Sequence, residues 1–150
     1  MQGNSSANNN SPSIMELAEV LDGEGMIGFT RLFVEDIRKG LAAVNVKLMP
    51  WLENIGSKKW NGALFLGMGG SAAGGDFIVS LSENHGSLPV KTIRDYSIPS
   101  WWNKSWLVIA TSHSGNTEET LYALEKCQAK GAEIAVITSG GKLKAIAEEN

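Results

Sequence analysis

Basic charge is scarce in this chain. Thirteen Lys and Arg residues against sixteen Asp and Glu leave a net charge of −3, without the positive excess that a nucleic-acid-binding surface needs. An anionic ligand therefore has to be recognised locally. Cysteine is scarcer still, since Cys127 stands alone. That excludes an internal disulfide, and its place in a helical pattern makes it a small core residue. Long apolar runs are also missing. No stretch of about 18 apolar residues and no charged-then-apolar secretory segment occurs, so the chain reads as a cytoplasmic, soluble protein with no membrane partner. What is present is 150 residues of which 43% are hydrophobic, enough for the core of about one domain.

Residues 1–13 are polar and rich in Asn and Ser, with no apolar periodicity, and are expected to form a disordered leader to a domain over residues 14–150. Phe33, Ile37, Leu41, Val44, Leu48 and Leu52 recur at three- and four-residue steps. They predict an amphipathic helix that Pro50 kinks or ends. From Ala63 the pattern changes to short apolar runs alternating with helical stretches, which is the βαβ signature. Strands are expected at Ala63–Gly67, Val90–Arg94, Trp106–Ser112 and Glu133–Ser139, with helices near Ser71–Ser82 and Thr117–Lys130. The runs Leu107–Ala110 and Ile134–Ile137 are apolar on both faces, as in parallel strands covered by helices on both sides. The fold class is therefore α/β: a three-layer αβα arrangement around a parallel sheet. A last helical segment begins near Lys142 and reaches Asn150 without a stop signal. The domain thus reads as truncated before its last strand, with Pro99, Trp101 and Trp102 in a loop that a missing surface would cover.

Two loops carry the chemistry. In the first, Gly67-Met68-Gly69-Gly70-Ser71-Ala72-Ala73-Gly74-Gly75-Asp76, glycines follow a buried strand and precede a helix. They let several backbone N–H groups approach a ligand at the positive end of the helix dipole. Ser71 would add a hydroxyl donor, or would simply cap the helix. Asp76 suits the helix's first turns and would repel an anion. Gly67-x-Gly69-x-x-Ala72, with Asp95 after the next strand, also matches the looser dinucleotide fingerprint, a rival that stays open. A Walker loop fails for want of a Lys-Ser/Thr pair. A nucleophilic Ser71 would need His85 or His113, and no spacing favours either.

In the second loop, Thr111-Ser112-His113-Ser114-Gly115-Asn116-Thr117-Glu118-Glu119-Thr120, a buried strand runs into hydroxyls, one glycine and an amide before a helix. Asn116 or Thr117 can cap that helix, with Glu118 and Glu119 in its first turn. One capping oxygen does not account for the whole cluster of donors, whereas the three terminal oxygens of a phosphate would use it. No Lys or Arg occurs from Trp60 to Val90 or from Ser105 to Glu125. Backbone N–H groups, hydroxyls and helix dipoles must then do the holding. The loops follow the first and third strands, which in a flavodoxin-like order lie side by side where the strand order reverses.

The paired motifs resemble the sugar isomerase (SIS) domain. Within that superfamily the chain is similar, from about Met15 onward, to the first domain of the bifunctional phosphoglucose/phosphomannose isomerases. Arg94-Asp95-Tyr96 and Pro99 resemble the segment between the motifs there. The resemblance implies that Gly70, Ser71, Ser112, Ser114 and Thr117 bind the phosphate of an aldose 6-phosphate that is interconverted with fructose 6-phosphate. Ring opening and proton transfer between C1 and C2, with a glutamate base, would follow. The acid–base residues of those enzymes lie later, in a second SIS-like domain or near the C-terminus. No catalytic residue, metal or cofactor is therefore implied in this chain, which would form the N-terminal part of a two-domain protein and a homodimer through its SIS domains. His113 stands where these enzymes more often have Tyr and is given no catalytic role. A non-catalytic sugar-phosphate-sensing module and a dinucleotide-binding domain of an oxidoreductase remain the alternatives.

Overall fold

The computed structural model describes residues 11–149 other than Val46, Leu48 and Ser87. These residues fall into two units, one up to Gly56 and one from Ser57 onward. For residues 1–10, the expected leader lies outside the described residues.

The first unit holds three helices. α1 (Ile14–Leu21) starts on a reciprocal cap: Glu16 N donates to Ser13 Oγ at 3.2 Å and Ser13 N donates to Glu16 Oε2 at 2.7 Å. Two otherwise unpaired amides are satisfied together, and the bond from the Ser13 backbone holds the Glu16 carboxyl below its usual range. α2 (Met26–Ala43) is started by Asp22, whose carboxylate accepts from Met26 N at 2.6 Å and Ile27 N at 2.9 Å. α3 (Trp51–Ser57) follows Pro50 directly. The apolar period from Phe33 to Leu52 therefore does not make one helix. α2 ends at Ala43, Val44 is its extended C-cap, and Leu48 lies outside the described residues. Proline fixes its own φ and disfavours helical backbone before it, so it begins α3 here instead of kinking a longer helix.

The second unit is a four-stranded parallel sheet with helices between the strands. β1 (Gly62–Leu66), α4 (Gly69–His85), β2 (Val90–Ile93), β3 (Trp106–Ser112), α5 (Glu118–Gln128), β4 (Ile134–Thr138) and α6 (Gly141–Glu148) follow in chain order. The sheet order is β2-β1-β3-β4, with Leu64 opposite Val108 and Leu66 opposite Ala110. This is the flavodoxin-like order, and the strands lie within a residue or so of the expected bounds. Successive side chains point to opposite faces. Leu64, Leu66, Val108 and Ala110 turn to one face, where they join Ala123, Leu124 and Cys127 of α5, Leu143 of α6 and Trp102 in the buried core. On the other face α4 crosses at Gly75, where a Cβ would lie 2.8 Å from Thr92 Oγ1 and 3.0 Å from Phe65 Cβ. Only glycine permits so close a helix–sheet approach.

The link from β2 to β3 carries no helix. Trp102 occupies that place instead, 3% exposed and packed with partly buried Ile98 against the core. The expectation that Trp102 awaits an outside surface is thus corrected: an indole is large enough to fill the gap between sheet and α5 from within. Trp101 is 52% exposed and leans on Trp106, with ring centroids 4.9 Å apart.

Cys127 is fully buried, and desolvation pushes its thiol up to about 11, against a smaller lowering by Lys130. A buried thiol is protonated and inert. Thiol-specific reagents are expected to leave Cys127 unmodified in the native chain at neutral pH and to modify it rapidly once denaturant unfolds the second unit. Fast labelling without denaturant would show that α5 opens readily.

Candidate functional site

β1 and β3 are neighbours, and each runs at its carboxyl end into a helix N-terminus. This is the position where ligands bind in open parallel sheets, at the point of reversal in strand order. The two loops abut: a Cβ on Gly67 would lie 3.0 Å from the Thr111 carbonyl oxygen, and Gly67 N donates to Ile93 O of β2 at 3.2 Å.

On the first loop Met68 is the N-cap of α4 and makes no side-chain cap bond. Ser71 is not the cap. It is the third helical residue, half-buried, and its hydroxyl has no hydrogen bond among the described residues. The first amide bonded back along the chain is that of Ala72, to Met68 O at 3.2 Å. The amides of Gly69, Gly70 and Ser71 precede it, in the turn where helical N–H groups lack intrahelical partners. Three such groups with no side-chain cap are the kind of helix start that can cradle an anion. Asp76 lies beyond the first turn and is paired with Arg94, whose guanidinium holds the Asp76 carboxyl below the usual carboxylate range. Its expected role at the start of the helix is thereby replaced by a tie between α4 and the end of β2.

On the second loop Ser112 is buried at the end of β3, with its Oγ 2.7 Å from Thr117 Oγ1 and accepting from Gly115 N at 3.1 Å. Ser114 is exposed, and its Oγ accepts from Asn116 N at 3.2 Å, which leaves its O–H free to donate. Thr117 occupies the N-cap position of α5 but makes no side-chain cap bond. Its hydroxyl is turned to Ser112 instead. Asn116 does not cap α5 either: its Oδ1 accepts from Lys142 N at 3.1 Å and so caps α6. The amides of Glu118, Glu119 and Thr120 precede the first bond along α5, from Leu121 N to Thr117 O at 3.0 Å.

The structure thus joins Ser112 and Thr117 directly, sets Ser114 beside Asn116, and puts Gly70 and Ser71 on the adjoining helix start. Sequence reasoning places the third turn, Ser139-Gly140-Gly141, on the same sheet edge, as a lining of the sugar site or a plain turn, and misses its support of the second loop. Gly115 has φ +68°, and a Cβ there would lie 1.7 Å from Gly140 O. The paired glycines 140 and 141 were the only signal of that crossing. Among the described residues no group of three His, Cys, Asp or Glu could hold a metal ion, and no helix is long and apolar enough to cross a membrane.

No family model matches the chain. Among curated proteins, it is 43% identical over 97 residues to the bifunctional phosphoglucose/phosphomannose isomerase of Caldicellulosiruptor bescii, a match covering 65% of the chain and 29% of that enzyme. It is 44% identical over 87 residues to the D-glucosamine-6-phosphate 4-epimerase of Sulfolobus acidocaldarius, covering 56% of the chain and 26% of the epimerase. The chain therefore spans little more than a quarter of the length of these relatives. Among solved structures, the tagatose-6-phosphate ketose/aldose isomerase of Escherichia coli superposes with a TM-score of 0.58 over 75% of the chain and 33% of that protein, at 23% identity. That likeness is one of fold. The chain is thus a homologue of the bifunctional phosphoglucose/phosphomannose isomerases, with the α/β fold of the SIS phosphosugar isomerases.

Proposed function

We propose that this chain is the phosphate-binding domain of an aldose–ketose isomerase that interconverts glucose 6-phosphate or mannose 6-phosphate with fructose 6-phosphate. Gly70, Ser71, Ser112, Ser114 and Thr117 hold the phosphate, and no catalytic residue is assigned to this chain. The observation that carries the reading is the pair of adjoining helix starts, neither capped by a side chain, with a cluster of hydroxyls beside them. The names of the relatives support a phosphorylated hexose as the ligand. A phosphate grip is remote from the bonds that change, so its binding energy serves to position the sugar. In this reading residues 14–150 are the first part of a two-SIS-domain, cytoplasmic enzyme of sugar metabolism that forms a homodimer.

Titration calorimetry tests the proposal. Glucose 6-phosphate, fructose 6-phosphate and inorganic phosphate are expected to bind with a Kd between about micromolar and millimolar, while glucose and NAD do not bind, and no isomerisation accompanies binding. Tighter binding of NAD than of glucose 6-phosphate would replace this reading with the dinucleotide one. Turnover that survives repurification and scales with the chain would overturn the absence of catalytic residues.

A further inference from the structure

The start of α6 is locked onto the second loop. Ser139 N donates to His113 O at 3.2 Å, Leu143 N to Gly115 O at 3.0 Å and Lys142 N to Asn116 Oδ1 at 3.1 Å. Gly141 has φ +69°, and a Cβ on it would lie 2.4 Å from Ser114 O. The backbone of Lys142 is therefore held in place by the loop that carries Ser112, Ser114 and Thr117. Lys142 is the second residue of α6, and helical Cα–Cβ bonds tilt toward the helix N-terminus. Its side chain accordingly leaves the backbone toward the carboxyl edge of the sheet, where both loops open. A lysine stem carries its ammonium about 6 Å from Cα.

The charge balance points the same way. Both loops and their helix starts lack Lys and Arg. Arg94, after β2, is engaged by Asp76, and Lys144 pairs with Glu148 at 3.7 Å. The ammonium of Lys142 is exposed and makes no ion pair or hydrogen bond among the described residues. A phosphate monoester carries close to two negative charges at neutral pH, which neutral donors can coordinate but cannot neutralise.

We propose that Lys142 is the cation of the phosphate site, a binding residue whose ammonium closes on the terminal oxygens of a sugar phosphate held by the second loop. The inference rests on reading the two loops as a phosphate site. It also assigns a function to the Ser139-Gly140-Gly141 turn, which delivers that charge to the loop.

The test is calorimetry with glucose 6-phosphate on the wild type, Lys142→Met, Lys142→Gln and Lys142→Arg, at about 20 and about 150 mM of a weakly binding salt. Lys142→Met and Lys142→Gln are expected to weaken binding by about 10- to 150-fold at low salt, as the loss of one charge-assisted contact would. They should also flatten the salt dependence expected of the wild type, whose one cation at the site is screened by added salt. Lys142→Arg should keep most of both. Circular dichroism is expected to be unchanged, since the side chain is exposed. Wild-type binding matched within about twofold by Lys142→Met, with the same salt slope, overturns the proposal and leaves the phosphate site standing. No binding by the wild type overturns the site and this proposal with it.

Discussion

Gly115→Ala is expected to abolish sugar-phosphate binding and to lower stability by about 2–5 kcal/mol, combining the left-handed backbone penalty with overpacking. At φ +68° an alanine is strained before any neighbour is considered. Its Cβ would also sit 1.7 Å from Gly140 O, a backbone atom that cannot rotate away. The second loop would have to lift from the start of α6. Lifting would break the bonds from Leu143 N to Gly115 O and from Lys142 N to Asn116 Oδ1. It would also remove the 3.1 Å bond from Gly115 N that orients the Ser112 hydroxyl. Denaturant unfolding and calorimetry measure the two losses. Gly74→Ala is the control, because that glycine lies inside α4 with open space around its Cβ position. It should gain about 0.4–1 kcal/mol. Equal behaviour of the two variants would mean that the crossing of the loops is not tight.

Ser114→Ala and Thr117→Ala are expected to weaken glucose 6-phosphate by about 1.5–3 kcal/mol each if each hydroxyl makes one charge-assisted bond. Plain glucose should show no such effect. The two variants should differ in stability. Ser114 is exposed and its hydroxyl accepts a single bond, from Asn116 N, so the loss of that hydroxyl should scarcely move the unfolding transition. Thr117 is the 2.7 Å partner of Ser112, which is 3% exposed. Removing its hydroxyl leaves a buried group short of a partner, at a cost of about 1 kcal/mol. Were Thr117 only a helix cap, its alanine variant would lose stability and keep its affinity. The absence of any side-chain cap bond from Thr117 argues against that reading. Unaltered phosphate affinity in both variants would reduce the second loop to a turn.

The parallel sheet was legible because its evidence is local. Apolar runs such as Leu107–Ala110, bounded by glycines and hydroxyls, can bury both faces only as strands between helices. The position of the two loops was legible for the same reason, since each follows a buried strand and opens a helix. The helix over Phe33–Leu52 was read too long, because apolar period alone does not say where backbone hydrogen bonding stops, and Pro50 can begin a helix as well as end one.

What the amino-acid sequence determined by itself was therefore the α/β class, the strands, the two donor-rich loops and their shortage of fixed positive charge. Only the tertiary structure decided where the hydroxyls and amides of those loops are spent. Asn116 caps α6, a helix that starts 25 residues further along the chain, and Thr117 turns from its own helix to Ser112. Trp102 takes the place of a crossover helix, and Gly140 with Gly141 supports the loop around Gly115. Hydrogen-bond partners and close backbone crossings depend on which strands lie side by side. Those individual meetings are set by the packing of the whole sheet and leave no mark in the local pattern of residues.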